Sequence, residues 1–326
     1  LSIIIFLFAS MTSQWVGGAR LIESLTGLPY RTALFIFAAS VLVYVIIGGF
    51  RAVALTDTVQ GIVMLVGTII LLVATIIAGG GMENIMSDLV AENPNLVSPF
   101  GADQDLTPLY VSSFWILVGV GVVGLPQISM RAMSYKDSKG MHTAIIIGTI
   151  VIGAVMLGMH LIGVLARAVL PGIEVADTVM PTLAMDVLPA FVAGIVLAAP
   201  MAAIMSTVDS LLILVSATVV KDLYVNYIKP DSSEKQIKTI SFFVTTIVGL
   251  SVVLFAMTPP DLIIWLNLFA FGGLESVFIW PVVMGLFWEK GNKYGAIASM
   301  IVGMGSFIII DQYYPTPFGM HSVVLP

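Results

Sequence analysis

Nine long apolar stretches limit what this chain can fold into. They lie at residues 1–22, 32–50, 56–79, 109–130, 142–170, 187–222, 239–258, 261–288 and 294–311. Each is long enough to cross about 30 Å of hydrocarbon as a helix. Only 10% of the residues are charged and 59% are hydrophobic, which is too little polarity for a soluble domain. We predict one all-α transmembrane bundle of about nine helices over residues 1–326, since helices satisfy their own backbone groups in lipid.

The charges of the connecting segments alternate along the chain. One set of connections carries ten basic residues, which are Arg51, Arg131, Lys136, Lys139, Lys221, Lys229, Lys235, Lys238, Lys290 and Lys293. The alternate set carries only Arg20, Arg31 and Arg167. Basic loops stay on the cytoplasmic side, so we expect a cytoplasmic N-terminus and an external C-terminus in the plasma (inner) membrane. Because Leu1 is not a methionine and lies within an apolar stretch, we also expect an internal fragment of a longer protein.

Several classes of function lack the residues they need. No basic tract offers a surface for nucleic acid. The chain has no cysteine and only three scattered histidines, which excludes thiolate metal sites and makes a histidine cluster unconvincing. No nucleophile–base pair is evident, so we do not expect an enzyme. Function is therefore sought in polar residues at membrane depth, where they are costly unless they bind something.

The sixth apolar stretch contains two adjacent hydroxyls. Ser206 and Thr207 follow Ala203 by about one helical turn, so two hydroxyls and a backbone carbonyl share one face. Hard cations prefer oxygen ligands. We predict a sodium site at Ala203, Ser206 and Thr207. The alternative is that both hydroxyls bond to carbonyls one turn earlier, which is common in membrane helices.

Two aspartates are candidates for an ion path. Asp209 is a carboxylate within hydrocarbon, which requires a partner or a water-filled cavity. Protonation, or pairing with Arg51 or Lys221, is the alternative for this side chain. Asp57 follows a glycine pair at residues 48–49, which we expect to form a tight turn, and capping of the next helix is its alternative role.

The stretch 109–130 contains a segment that weakens a helix, 119–127 (GVGVVGLPQ). Its proline cannot donate a backbone hydrogen bond, and its glycines add conformational freedom. Transporters place substrates at broken helices of this kind. We predict a substrate site that comprises Gly119, Gly121, Val122, Pro126, Gln127 and Asn267. The alternatives are a packing groove for the glycines and hydrogen bonding between helices for Asn267 and Glu275.

These segments together resemble the sodium:solute symporter family. The resemblance rests on 48–61 (GGFRAVALTDTVQG), 202–207 (AAIMST), 221–224 (KDLY), 124–126 (GLP) with Arg131, and 285–289 (GLFWE). Further segments resemble the pantothenate transporters of that family, namely Gln14, 17–21 (GGARL), 134–139 (SYKDSK), 197–207 (LAAPMAAIMST), 263–268 (IIWLNL) and 270–275 (AFGGLE). The likeness extends over nearly the whole chain.

The resemblance implies a LeuT-like core of two inverted repeats, of which this chain would lack the first helices. It implies that sodium is the coupling ion and that Ala203, Ser206 and Thr207 match the family's sodium ligands on the eighth core helix. Asp57 matches an acid associated with sodium passage to the cytoplasm. The partners implied are pantothenate or a similar small solute, the sodium ion and the lipid bilayer.

Sodium-coupled pantothenate uptake by alternating access is therefore the predicted function. Because no lysine or arginine lies at mid-membrane, we expect the half-helix that begins near Pro126 and Gln127 to stabilise the solute's carboxylate. The alternatives are a sodium symporter for proline, a monocarboxylate or a sugar, a symporter-like sensor domain of a signalling protein, and a proton-pumping redox subunit.

Overall fold

A computed structural model describes residues 2–104, 106–260 and 262–326, except for the side chains at positions 44, 47–55, 130 and 131. Over these ranges the chain is helical and contains no strand, which confirms the all-α prediction. The α-helices of the described part are α1 (Ser2–Thr26), α2 (Tyr30–Ala78), α3 (Met82–Glu92), α4 (Pro108–Phe114), α5 (Pro126–Ala132), α6 (Ser138–Val169), α7 (Val179–Val187), α8 (Ala190–Ala217), α9 (Glu234–Ala256), α10 (Ile264–Phe287) and α11 (Lys293–Tyr313).

The predicted apolar stretches coincide with helical segments. Within the described residues, seven are long and apolar enough to cross a membrane: Ser2–Thr26, Thr56–Ala78, Ser138–Val169, Ala190–Ile228, Glu234–Ala256, Ile264–Phe287 and Lys293–Tyr313. Two shorter apolar segments, Tyr30–Val43 and Pro108–Gly124, fall on the remaining two stretches. Helix α8 continues as a π-helix to Ile228, so only residues 229–233 connect it to α9.

Two connections between the apolar stretches contain helix. The backbone of α2 is helical from Tyr30 to Ala78, so the tight turn predicted at residues 48–49 is absent and Asp57 does not cap a helix. The side chains of that glycine segment lie outside the described residues. The connection between the third and fourth apolar stretches, residues 80–108, contains α3. Its buried residues Ile85 and Leu89 are four positions apart, which gives one short apolar face that composition alone did not reveal.

The larger of two compact units comprises Met11–Glu92 and His142–Ile263. Its apolar core includes Leu21, Leu71, Ile162, Ala166, Leu183, Ala184, Val196 and Leu197. Its helices approach through small residues, as is usual where lipid supplies no hydrophobic drive for association. A Cβ placed on Gly67 would lie 2.7 Å from the Cβ of Ala199, and one on Gly158 would meet the side chain of Thr68.

Three polar contacts of this unit join connections that the charge pattern assigns to the external side. They are the ion pair between Arg167 and Glu92 (2.6 Å), the hydrogen bond from the Tyr30 hydroxyl to the Ala256 carbonyl (2.6 Å), and the hydrogen bond from the Ile263 amide to Asp177 (3.2 Å). The connections involved therefore lie at the same end of the unit, as the alternation of charge predicts.

The second compact unit comprises Leu1–Ser10, Asn93–Met141 and Ile264–Pro326. The rings of Phe6, Phe269 and Phe307 meet in its interior with centroids 5.5–5.9 Å apart. At one end, the backbone amide of His321 donates to Ser113 of α4 at 2.9 Å. These contacts connect the first turns of α1 with α10 and α11, and fasten the C-terminal segment to α4.

Candidate functional site

The predicted sodium ligands of α8 form one cluster of oxygens. The hydroxyls of Ser206 and Thr207 donate to the backbone carbonyl of Ala203 at 3.0 and 2.9 Å. All three residues are half-buried. Rotation of each O–H away from the carbonyl would leave hydroxyl and carbonyl lone pairs to face a common cation. The two hydroxyls therefore make the bonds to their own helix that the alternative interpretation requires. The three oxygens are also close enough together to contact one ion.

A third hydroxyl extends this cluster. Ser210 donates to the carbonyl of Ser206 at 3.0 Å, one turn beyond the predicted ligands. Ser210 is not among the predicted ligands, although its spacing of four residues from Ser206 places it on the same helical face. The ladder of hydroxyls therefore extends over two turns of α8.

Asp209 is fully buried, and the hydroxyl of Ser210 lies 3.4 Å from its Oδ1. On an ideal helix it lies about 120° around the axis from Ala203, so it does not share the face of the oxygen cluster. Pairing with Lys221 is excluded, since twelve residues of helix separate the two by roughly 18 Å. The alternative partner, Arg51, has a side chain outside the described residues. Asp57 is half-buried inside α2.

The predicted break in the 109–130 stretch is confirmed. After α4 the chain forms a π-helical segment, Trp115–Val120, and then a 3₁₀ turn, Gly121–Gly124. Leu125 is extended (φ −83°, ψ 114°), as expected for a residue before proline, and α5 begins at Pro126. The Leu125 amide donates to the Val122 carbonyl at 3.1 Å, which closes the turn.

The 3₁₀ turn packs against the middle of α10. A Cβ on Gly121 would collide with the carboxyl group of Glu275, and one on Gly124 would lie 2.9 Å from the Cα of Glu275. A Cβ on Gly119 would meet nothing within 4 Å. The absence of side chains at residues 121 and 124 is therefore what lets the turn reach α10, whereas the glycine at 119 has no such role.

Polar atoms at this contact lack partners. Glu275 is 2% exposed, and neither of its carboxyl oxygens has a hydrogen-bond partner among the described residues. The same holds for Oε1 of Gln127, two positions after the break. Asn267 lies about 12 Å along α10 from Glu275. It accepts a hydrogen bond from Ser10 of α1 at 3.1 Å, which is the bond between helices that was its alternative role.

The contact between Gly121 and Glu275 is the part of this site that sequence reasoning did not find. The sequence shows that Glu275 is polar at membrane depth, but its position beside the glycine break depends on tertiary packing. The available signals were that Glu275 is the only charged residue of α10 and that Gly121 and Gly124 are spaced for one helical face.

Two titratable groups outside the spanning segments have altered proton affinity. Burial raises the pKa of Asp177, while the hydrogen bond from the Ile263 amide and the charge of Arg20 act in the opposite direction. Burial lowers the pKa of His321, and the carboxylate of Asp311 opposes that shift. Both groups lie in connections, so they bear on folding at the ends of the helices rather than on the oxygens of α8.

Comparison with known proteins gives a consistent result. A sequence model of the sodium:solute symporter family matches residues 1–303. The sodium/pantothenate symporters of Haemophilus influenzae and Escherichia coli are 51% and 50% identical over 326 residues, covering 99% of this chain and 67% of each relative. The sodium/proline symporter of Escherichia coli is 30% identical over 327 residues, covering 96% of this chain and 63% of the relative.

A solved structure has the same fold. It is the substrate-bound outward-open state of a Na⁺-coupled sialic acid symporter, and it matches with a TM-score of 0.76 at 18% identity. The match covers 96% of this chain and 67% of that one. It confirms the predicted LeuT-like architecture, but at this identity it carries no information on the solute.

Proposed function

Because the chain belongs to the sodium:solute symporter family, we propose that it takes up pantothenate together with sodium by alternating access. It is a multi-pass membrane transporter rather than an enzyme, and sodium is its coupling ion. The choice of solute is supported by 51% identity to a sodium/pantothenate symporter, against 30% to a sodium/proline symporter.

The observation that carries the sodium part of the proposal is the cluster of oxygens on α8. Ala203, Ser206 and Thr207 hold three oxygens within 3.0 Å contacts on one helical face, and hard monovalent cations favour such ligands. We assign these three residues as the part of the sodium site that this chain supplies. Asp57 and Asp209 are proposed to line the ion path, since both carboxylates lie inside helices rather than at caps.

The solute is proposed to bind at the break between α4 and α5, along Gly119, Gly121, Val122, Pro126 and Gln127, and at Asn267. Support comes from the break itself and from the Gln127 oxygen, which has no partner in the part of the chain that the structure describes. A contribution from the dipole of α5 is weak, because that helix has only seven residues. Gln127 and Asn267 therefore have the larger share in recognising the solute's hydroxyl, amide and carboxylate groups.

Uptake into vesicles tests this function. The full-length protein is reconstituted, and entry of labelled pantothenate is compared with a sodium gradient and with choline in place of sodium. We expect accumulation only with sodium, and competition by unlabelled pantothenate but not by proline. Competition by proline with no effect of pantothenate would reassign the solute, and equal uptake in choline would refute sodium coupling. Empty vesicles give the background.

The orientation is a separate part of the proposal. Nine crossings, with the first residue cytoplasmic and the last external in the plasma (inner) membrane, follow from the alternation of loop charge. Because this chain contains no cysteine, any cysteine that the rest of the protein contributes is first replaced and single cysteines are then introduced. We expect an impermeant maleimide added to whole cells to label Ser87→Cys and to leave Lys235→Cys unlabelled. The reverse pattern would invert the topology.

A further inference from the structure

Glu275 lies at the centre of α10, about 17 Å from either end of the helix. It is 2% exposed, and its two carboxyl oxygens have no hydrogen-bond partner among the residues that the structure describes. A carboxylate in hydrocarbon without donors or a compensating charge is costly. Among the described residues, the carboxyl group of Glu275 therefore lacks a hydrogen-bond donor or a positive charge to stabilise it.

The space around Glu275 restricts what such a donor or charge can be. The carboxyl group occupies the volume that a Cβ on Gly121 would fill, and a Cβ on Gly124 would lie 2.9 Å from the Cα of Glu275. A solute of many atoms cannot reach the carboxyl group without separating the 3₁₀ turn from α10. A single small ion can, because glycine leaves backbone rather than side chain next to the carboxyl oxygens.

The other titratable groups of the elements packed on α10 lie away from Glu275 or are undescribed. Lys293 and Tyr294 contact each other at the start of α11, while Tyr110 and His321 contact each other near Asp311 at its far end, beside Tyr313. The side chain of Arg131 lies outside the described residues. No cation in the described ranges compensates the charge of Glu275.

We propose that Glu275, held against the broken helix by Gly121 and Gly124, binds a monovalent cation in addition to the sodium bound at α8. The cation is a sodium ion or a proton. A divalent ion is disfavoured, because no group of three acidic, histidine or cysteine side chains comes together in the described part of the chain. The contact with the break links occupancy of Glu275 to the segment at which the solute is proposed to bind.

A second cation changes the energetics of transport. This consequence rests on the proposed function, in which the solute is the pantothenate anion. One sodium ion with one anion moves no net charge, so the membrane potential contributes nothing to accumulation. Two cations with one anion move one net charge, and an inside-negative potential of 100 mV then adds about 50-fold to the accumulation ratio.

The experiment measures accumulation of labelled pantothenate at zero potential and at 100 mV, inside negative, in vesicles that contain the full-length protein. For the wild type we expect an increase of about 50-fold. For Glu275→Gln, which keeps the shape but removes the charge, we expect sodium-dependent uptake without this increase. Glu174→Gln, the same change at an exposed loop carboxylate, is the control and should retain the increase.

Two arms identify the cation. If it is sodium, the ratio of labelled sodium to pantothenate falls from two in the wild type to one in Glu275→Gln. If it is a proton, that ratio is one in both, and acidification of the vesicle interior during uptake is lost in the variant.

Glu275→Asp, which retains a carboxyl group, should preserve the effect of potential if Glu275→Gln does not assemble. The inference is overturned if accumulation by the wild type is independent of the membrane potential, or if Glu275→Gln shows the same effect of potential as the wild type. Both outcomes leave sodium-coupled uptake intact.

A measurement without solute separates this inference from the proposed function. Infrared difference spectra of the purified protein are recorded on exchange of choline for sodium and on a change of pH. We expect a carboxyl band that is present in the wild type and in Glu174→Gln and absent in Glu275→Gln. Its absence from the wild type, or its persistence in Glu275→Gln, refutes cation binding at this residue whatever the solute proves to be.

Discussion

The oxygen cluster of α8 and the contact at the helix break accommodate polar groups in lipid in opposite ways. On α8, Ser206 and Thr207 bond to a carbonyl of their own helix, so the helix is satisfied whether or not an ion is bound. At the break, Glu275 has no partner in the described residues, and glycine brings the 3₁₀ turn up to its carboxyl group. A site whose polar groups bond to one another is stable with or without an ion, whereas a site with an unpaired carboxyl group is more stable when an ion is bound. Substitutions at the two sites therefore separate effects on ion affinity from effects on folding stability.

The largest effect is expected at the satisfied site. Thr207→Ala removes a proposed sodium ligand while leaving the helix intact. We expect roughly a 100-fold rise in the sodium concentration that gives half-maximal uptake, since even the loss of a group that only hydrogen-bonds to a metal ligand costs about 10–100-fold in affinity. Folding should change little, because only a local hydrogen bond is lost. Uptake at varied sodium concentration measures the first effect, and thermal unfolding in detergent measures the second.

The control for this prediction is Thr246→Ala in α9. Thr246 is half-buried like Thr207 and donates to the carbonyl four residues earlier at 2.8 Å in the same way, but on a different helix. Its sodium dependence should match the wild type. Equal sodium dependence in Thr207→Ala and Thr246→Ala would show that the cluster on α8 is only a set of local bonds.

The next effect concerns the approach of the turn to α10. Gly124→Ala should lower the free energy of unfolding by about 1–3 kcal/mol, because the added methyl group collides with the backbone of Glu275 and Ile279 in α10. Gly119→Ala adds the same methyl group to open space and should leave stability nearly unchanged. Unfolding in detergent titrations compares the two. Equal losses would mean that flexibility of the break, rather than the contact, is what glycine provides.

A smaller effect of opposite sign is expected when the incomplete site is made apolar. Glu275→Met has similar length and no polar oxygens, so we expect it to raise the free energy of unfolding by about 1–3 kcal/mol or less, the desolvation cost of an unsatisfied buried group. Glu174→Met, at an exposed loop position, should give no gain. A loss of stability in Glu275→Met would indicate that the carboxyl group has partners in the membrane that stabilise the fold.

The smallest effect is expected at His321, a buried group of the same unit as Glu275 that does have partners. Its ring accepts a hydrogen bond from the Val323 amide and packs on Phe114. Burial lowers the pKa of His321 below its ordinary value of 6.5, so below pH 6.5 the unfolded chain binds a proton that the folded chain does not. Its contribution to stability is complete above pH 6.5 and declines as the pH falls toward the folded pKa.

This prediction is measured by thermal unfolding between pH 7.5 and 5. We expect the wild-type unfolding temperature to fall more steeply below pH 6.5 than that of His321→Gln, which cannot bind the proton. His142→Gln, at an exposed position in α6, should follow the wild type. Parallel curves for the wild type and His321→Gln would show that the ring is not held neutral by the fold.

The features that sequence predicted are those that local chemistry determines. The apolar stretches mark the helices, because a spanning segment must satisfy its own backbone in lipid. The break at 119–127 follows from Pro126 and the restriction it places on Leu125. The oxygens on α8 follow from helical spacing alone, since Ala203, Ser206 and Thr207 are within one turn. None of these depends on which segments become neighbours.

The features that sequence did not predict depend on packing between distant segments. The glycine pair at 48–49 suggested a turn, but the helix α2 continues through it, since glycine permits a turn without requiring one. The short apolar face of α3 was hidden in a segment of polar composition. The contact of Gly121 with Glu275 joins residues more than 150 positions apart, so no local pattern contains it.

The glycine contacts seen at residues 67, 121, 158 and 303 have a consequence for how such a chain can vary over time. Large side chains that face lipid can be exchanged for one another, because any oily surface serves there. A single extra methyl group at any of these four glycines would overlap the neighbouring helix, its backbone at Gly303 and a side chain at the other three. Drift in this lineage should therefore be fastest among its bulkiest residues and slowest among its smallest.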